Sequence, residues 1–274
     1  MTVLIEHYFK HHSAVRMDTC ARNHLAENQV AAECVQHARW WKVYLSAYSI
    51  LISRRALPEA LRTRVKCFGG RNLSRIDNLA YTHQAGLDQM TWATAASLDD
   101  VEKLFDDWKT DRLILKRSDS YKGRGLLMFS RRELEKVRWH PGRDVFCAEV
   151  NREDGMITKV ECCGGELMFT WCWRQPPVRE MLVDGLIDTK AYLSGERFAD
   201  VRVPEDILAK AKYCSVLASR DGLGHISLDF MRAPNGDLKV IEMNSQEVAL
   251  WWTVQFATAR HNYGRGVYSL VSGF

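Results

Sequence analysis

Several features that would assign a functional class at once are missing from this chain. Its eight cysteines (Cys20, Cys34, Cys67, Cys147, Cys162, Cys163, Cys172 and Cys214) form no CxxC pair and no zinc-type spacing. That removes the common structural-zinc and dithiol-redox readings. Cys162 and Cys163 are adjacent, a poor geometry for bridging each other, so scattered thiols of a reducing compartment are expected. No G-x-G-x-x-G follows a strand, so a dinucleotide-binding Rossmann unit is not indicated. No block of like charges occurs: Lys plus Arg number 38 against 34 for Asp plus Glu, a net +4. A nucleic-acid footprint would be denser and more clustered, so a nucleic-acid partner is not expected, whereas a basic pocket for an anionic small molecule fits. The apolar runs fall short of a membrane span. Glu6, His7, Lys10, His11 and His12 stand where the apolar region of a signal peptide would lie, which points to a cytoplasmic protein. The three histidines are read as a surface cluster near a terminus. There is no convincing Ser/His/Asp or Cys/His set for nucleophilic catalysis.

What is present centres on Gly224–Asn244. Two apolar runs flank Pro234-Asn235-Gly236-Asp237, and Asn-Gly is the strongest short-range signal for a hairpin. With Asn235 and Gly236 as the two turn residues, Asp229 falls opposite Glu242 and Ser227 opposite Asn244. Side chains alternate along a strand, so Asp229, Glu242 and Asn244 are expected on one face. Leu228, Phe230, Ile241 and Met243 are expected on the other, against a core. Like charges directly opposed on a sheet repel, and a hard divalent cation would reverse that sign. Two carboxylates and an amide oxygen suit Mg²⁺, which keeps waters and shares itself with substrate phosphates. A solvated acidic hairpin without a ligand would present the same letters, so a second motif has to decide.

Taken in order, residues 1–80 read as a small α/β unit. Thr2–Ile5 is a short apolar run, and helical spacing runs from Asp18 to about Trp41 through Leu25, Val30, Cys34 and Ala38. Lys42–Ser46 and Tyr48–Ile52 look like strands, and Pro58 opens a short helix. After the turn-rich Cys67–Asn72, a helix is expected over Ser74–Ala85, closed by Gly86. A second begins at Ser97 with Asp100 as its capping acid, bearing Val101, Leu104, Phe105 and Trp108 on one face. The second motif follows. Strands Leu113–Lys116 and Leu126–Phe129 enclose Arg117–Gly125, a loop with Ser118, Lys122, Gly123 and Gly125. Such a loop can wrap a polyphosphate with its N–H groups, although it joins strand to strand and is not a Walker loop. Val145–Asn151 is strand material running into Arg152–Gly155. Ile157–Cys163 and Glu166–Trp173 form a hairpin about Gly164-Gly165. Residues 175–203 form a long connection of the kind that is more often functional than idle. Glu205–Ser219 is a helix, with Pro204 at its start and Gly222 near its end. Trp251 and Trp252 are read as core or interface first.

This order of parts resembles the ATP-grasp superfamily, and looks most like its ribosomal-protein glutamate ligase and glutathione synthetase branch. The resemblance covers roughly residues 75–255, and its specific part is Leu228-Asp229-Phe230 with Val240–Asn244. It implies an α/β (α+β) fold in which two α+β subdomains, 75–150 and 151–274, clasp ATP behind an α/β pre-grasp domain, 1–74. Residue by residue, Lys116 matches the lysine that reaches the phosphates. Ser118–Gly125 matches the loop closing over them, with Lys122 or Arg124 as added charge. Glu149-Val150-Asn151 matches the hinge pairing with adenine, and Glu153 or Asp154 the acid that holds the ribose. Lys159 and Arg174 match cations facing the phosphates or the acyl-phosphate. Asp229, Glu242 and Asn244 match the Mg²⁺ ligands. The Gly155-Met156-Ile157 segment is shorter and less polar than the family pattern, and Ser245–Ala249 replaces its small residues and proline or glycine.

The implied activity is ATP-dependent joining of a carboxylate to an amine through an acyl-phosphate, releasing ADP and phosphate. A carboxylate is a poor electrophile at neutral pH. Phosphoryl transfer relies on positioning and charge neutralisation rather than on a protein nucleophile. The alternatives are a phosphotransferase on the same fold and a catalytically silent nucleotide-binding protein. Substrates of either size, small molecule or peptide, are compatible, and a homodimer is the commonest assembly on general grounds.

Overall fold

The computed structural model of the chain describes residues 1–7, 12–36, 47–56, 59–70, 73–118, 126–148, 155–176, 182–183, 186–187, 195–233, 235–245 and 253–273. The first part is a parallel sheet of β1 (Thr2–His7), β2 (Ala31–Gln36), β3 (Ile50–Ala56) and β4 (Lys66–Gly70), in the order β2-β1-β3-β4. Its central strands are apolar on both faces, as a covered parallel sheet requires. Val3, Ile5 and Ile52 pack toward α1 (His12–Glu27), while Leu4 and Leu51 pack toward Leu61 of α2 (Glu59–Arg62). The helical spacing read from Asp18 to Trp41 is corrected here. The helix stops at Glu27, Gln29 takes φ 59°, and 31–36 pairs with β1 as a strand. Partnership with β1 overrides local spacing at this point. The expected strand at 42–46, Pro58, Trp251 and Trp252 lie outside the described residues.

The middle of the chain builds a six-stranded sheet in the order β11-β12-β7-β6-β8-β5. Its strands are β5 (Trp92–Ala93), β6 (Arg112–Lys116), β7 (Leu126–Ser130), β8 (Val145–Ala148), β11 (Leu182–Val183) and β12 (Leu186–Ile187). Alternation sorts β6: Leu113 and Leu115 pack with Val101 and Phe105 of α4 (Leu98–Asp107), leaving Ile114 and Lys116 on the opposite face. α4 and α3 (Arg75–Gln84) both begin as expected, with capping boxes Ser97/Asp100 and Ser74/Asp77.

The third sheet, order β13-β10-β9-β14-β15, is antiparallel. It comprises β9 (Met156–Cys163), β10 (Glu166–Arg174), β13 (Glu196–Ala199), β14 (His225–Arg232) and β15 (Leu238–Asn244). One face carries Val160, Cys162, Leu228, Phe230 and Met243 against α5 (Glu205–Arg220). On the other, Cys163, Phe169 and Trp171 meet the first sheet and the C-terminal helix α6 (Ala257–Ser272). A Cβ on Gly266 of α6 would lie 2.4 Å from the Cys163 carbonyl oxygen, so the helix crosses the β9–β10 turn at backbone contact. Among the described residues, no helix is long and apolar enough to cross a membrane. All eight cysteines are thiols.

Candidate active site

The site is assembled by cross-strand register. Trp171 on β10 pairs with Lys159 on β9, Lys159 with Asp229 on β14, and Asp229 with Glu242 on β15. Residues directly opposite share a face, so these four form one transverse row. The next row is Glu161, Ser227 and Asn244. Asp229, Glu242 and Asn244 therefore share a face, as expected.

The route to that register differs from the one expected. Ala233 N–H donates to the Asp237 carbonyl at 2.7 Å and Gly236 N–H to the Ala233 carbonyl at 2.8 Å, with Gly236 at φ 92°. The connection closed by Ala233 and Asp237 is thus one residue longer than the two-residue Asn235-Gly236 turn expected. This shifts the pairing by one, to Phe230↔Val240. A β-bulge between Asp229 and Phe230 then restores Asp229↔Glu242, with Ile241 as the extra residue of β15. A bulge puts successive side chains on one side. Val240 and Met243 face the α5 core, while Ile241 packs on the cleft side near Cys147 and Met231. The placement of Ile241 in the core with Leu228 and Phe230 is corrected accordingly.

Three cations surround the two acids. Lys159 Nζ forms an ion pair with Asp229 Oδ2. Arg75 Nη1 lies 3.2 Å from Glu242 Oε1, and its Nε donates to the Arg117 carbonyl at 3.1 Å. Lys116 Nζ donates to the Ile241 carbonyl at 3.0 Å, an oxygen on the residue that the bulge adds to the ladder. Burial raises the Asp229 carboxyl above the usual range; Lys159 works against this and the nearby Glu242 charge adds to it. Burial also opposes ionisation of Glu242, but Arg75, Lys116 and Lys159 outweigh it and hold that carboxyl low. The two acids are thus driven apart in acidity, by burial at Asp229 and by Arg75 with the two lysines at Glu242.

Beside them, α3, β15 and the six-stranded sheet line a cleft that is open at its mouth. Met90, Trp92, Val145, Cys147 and Ile241 make its apolar lining, with Arg75, Lys116 and Glu242 at one side. An apolar pocket with few convergent charges is the usual form of a small-ligand site. The donor set also fits Mg²⁺. Among the described residues no three or more His, Cys, Asp or Glu come together as a metal cage. Two carboxylates with the Asn244 amide suit a hard cation that completes its shell with water and phosphate.

The structure brings together Lys116, Lys159, Asp229, Glu242 and Asn244. It does not bring Arg174 to them. Three residues along from Trp171, Arg174 points from the opposite face of β10, with Nη1 3.9 Å from Glu196 Oε2 and its guanidinium over Phe198. Strand alternation is the reason, and its expected place beside the phosphates is corrected. Ser118 sits at the root of the Gly-containing loop, where its backbone N–H donates to Asp144 Oδ1 at 2.8 Å. Asp144 is fully buried and its Oδ2 also accepts from the His140 N–H at 2.8 Å, so it clamps this root. Lys122, Gly123, Gly125, Glu149, Val150, Asn151, Glu153 and Asp154 lie outside the described residues. Arg75 was not expected at the site. Its signal was an arginine directly after the Ser74 cap, where a cation opposes the helix dipole. Glu161, fully buried within two residues of Lys159, also went unread.

No protein-family model matches the chain, and neither does any curated protein sequence. Solved structures do match along its whole length. The RiPP-associated ATP-grasp ligase of Chryseobacterium gregarium, solved with ADP and a leader and core peptide, has a TM-score of 0.68 at 11% identity, covering 100% of this chain and 97% of that one. The macrocyclase MdnC of Microcystis aeruginosa MRC, bound with the precursor peptide MdnA, gives 0.65 at 12% identity, covering 100% of both. The D-cycloserine synthetase DcsG gives 0.64 at 15% identity, covering 98% of this chain and 100% of that one. The chain therefore has the ATP-grasp fold.

Proposed function

We propose that the protein is an ATP-dependent carboxylate–amine ligase that works through an acyl-phosphate. The observation that carries this reading is the pair Asp229/Glu242, set opposite each other on β14 and β15 and neutralised by Lys159, Arg75 and Lys116 at the edge of an apolar cleft. In support, solved proteins of the same fold carry ADP, or Mg and ADP, and several are complexed with precursor peptides. Peptide substrates are accordingly the first class to test. Residues 1–74, 75–150 and 151–274 serve in this reading as the pre-grasp unit and the two clasping parts.

Asp229, Glu242 and Asn244 would hold Mg²⁺, which when bound supplies positive charge to the triphosphate. Arg75 and Lys116 stand where the phosphates would enter, and each can exchange its present acceptor, Glu242 Oε1 or the Ile241 carbonyl, for a phosphate oxygen. Lys159 faces the same space from the sheet. In the first step a substrate carboxylate oxygen bonds to the γ-phosphorus as the bond to ADP breaks. In the second an amine attacks the acyl carbon, loses a proton, and phosphate leaves with the bonding electrons. The protein supplies alignment and charge, and no covalent enzyme intermediate is required. The test is incubation of the pure protein with ATP, Mg²⁺ and a panel of amino acids and short peptides. ADP formation and product mass are then read together. A product lighter than its two parts by one water supports ligation. A stable phosphate ester that accumulates equally with and without an amine, with no product lighter by one water, supports a phosphotransferase and overturns the proposal.

A further inference from the structure

We infer that Trp171, locked by Glu161, is a positioning residue for the Lys159 ammonium, and through it sets the affinity for the triphosphate end of the nucleotide. The inference rests on the ATP reading above and adds to it two residues that need not touch the ligand. Lys159 has a partner on each side in its row. Asp229 takes the ammonium on one side, and on the other the ammonium lies over the Trp171 ring, 5.6 Å from its centroid. A cation is drawn to the face of an indole more strongly than to any other side-chain ring, and more so when water is excluded. Trp171 is only 1% exposed. Its Nε1–H donates to Glu161 Oε1 at 2.8 Å, and Glu161 is fully buried. The ring cannot turn without breaking a buried hydrogen bond. Once Asp229 shares its charge with a metal, its hold on Lys159 weakens, whereas the indole face is unaffected. Trp171 then keeps the ammonium over the cleft. A leucine would fill much of the same core volume but offers neither a π face nor an N–H.

The test compares calorimetric binding of Mg²⁺ with the non-hydrolysable triphosphate AMP-PNP against binding of AMP, which lacks the phosphates that Lys159 would meet. Trp171→Leu is expected to lose about tenfold in AMP-PNP affinity with AMP unchanged, and Trp171→Phe to lose less. Glu161→Gln keeps an oxygen for the indole N–H and should match the wild type, whereas Glu161→Ala should behave like Trp171→Leu. In the nucleotide-free protein, labelling of Lys159 by an amine-reactive reagent, followed by peptide mass spectrometry, should quicken in Trp171→Leu and Glu161→Ala alone. Unchanged AMP-PNP affinity in folded Trp171→Leu overturns the inference, as does equal loss of AMP and AMP-PNP, the mark of general damage. Should Trp171→Leu fail to fold, the Gln/Ala contrast at Glu161 decides. A folded wild type that binds neither nucleotide overturns the ATP reading itself, which is a separate result.

Discussion

The six-stranded sheet and the five-stranded sheet face the same cleft with opposite chemistry. The first presents Ile114, Val145 and Cys147 and one cation, Lys116, itself only 8% exposed. The second presents two acids and a lysine in one row, Lys159–Asp229–Glu242. Neither wall is complete alone. Lys116 finds its acceptor on the other wall, in the Ile241 carbonyl, and Arg75 reaches from α3 to Glu242. A buried cation on its own is costly, so each wall stabilises the other's charges until a ligand replaces them. On the proposed function, the lesson is that the cleft is prepared as two incomplete halves, one suited to an apolar base and phosphates and one to a metal.

The largest expected effect breaks that contrast at the acid wall. Asp229→Asn and Glu242→Gln should each weaken ATP binding about 100-fold when Mg²⁺ is present, the scale of losing a metal ligand's support. Without Mg²⁺ the same changes should leave ATP binding equal or tighter, because they remove negative charge near the phosphates. Lys116→Ala on the other wall should lose about tenfold under both conditions. Calorimetry with and without Mg²⁺ reads all three variants. A common metal dependence for both walls would mean that the two halves are not specialised. A smaller effect sharpens the comparison at their seam. Deleting Ile241 turns β15 into a regular ladder with Asp229 still opposite Glu242, while taking away the carbonyl that holds Lys116. A loss of about fivefold in ATP affinity, with its Mg²⁺ dependence intact, is the expected calorimetric result.

Much of this could be read from the residues, and the failures have physical causes. The caps at Ser74 and Ser97 were legible because a capping box is a local contract between residues three apart. The face shared by Asp229, Glu242 and Asn244 was legible from alternation, yet by offsetting errors: the turn is one residue longer than Asn-Gly suggests, and the bulge at Ile241 cancels the slip. Bulges leave almost no trace in a single sequence. Arg174 was misplaced for the same reason without a cancelling slip. Regular counting from Lys159 across the Gly164-Gly165 turn pairs Lys159 with Thr170 and leaves Arg174 on the Lys159 face, but a bulge between Leu167 and Phe169 pairs Lys159 with Trp171 and turns Arg174 to the far face. The strand Ala31–Gln36 was hidden by helical spacing, because its strand character depends on β1, which is distant in sequence. Arg75 needed the tertiary structure outright, as its partner Glu242 is far along the chain.

The smallest effect tests whether the cation wall acts by charge or by rigidity. α4 braces the back of the six-stranded sheet through Val101 and Phe105, and its first turn depends on Ser97, whose Oγ accepts from the Asp100 N–H at 3.2 Å. Ser97→Ala should lower stability by about 1 kcal/mol in denaturant unfolding. If the wall acts by charge, ATP affinity should stay within about twofold, since Lys116 keeps its acceptor. A pH series adds a sign. The Ser97 side chain, with the backbone N–H groups of Ala96 and Ser97, holds the Asp100 carboxyl below its usual range. A carboxyl depressed in the folded state binds fewer protons than in the unfolded chain, so its stabilising share is present above the ordinary carboxylate pKa and is lost as pH falls through the depressed value. The gap between wild type and Ser97→Ala should therefore narrow in acid and stay constant near neutrality. A gap that widened in acid would mean that the cap, and with it the bracing of this wall, does not work through the Asp100 charge.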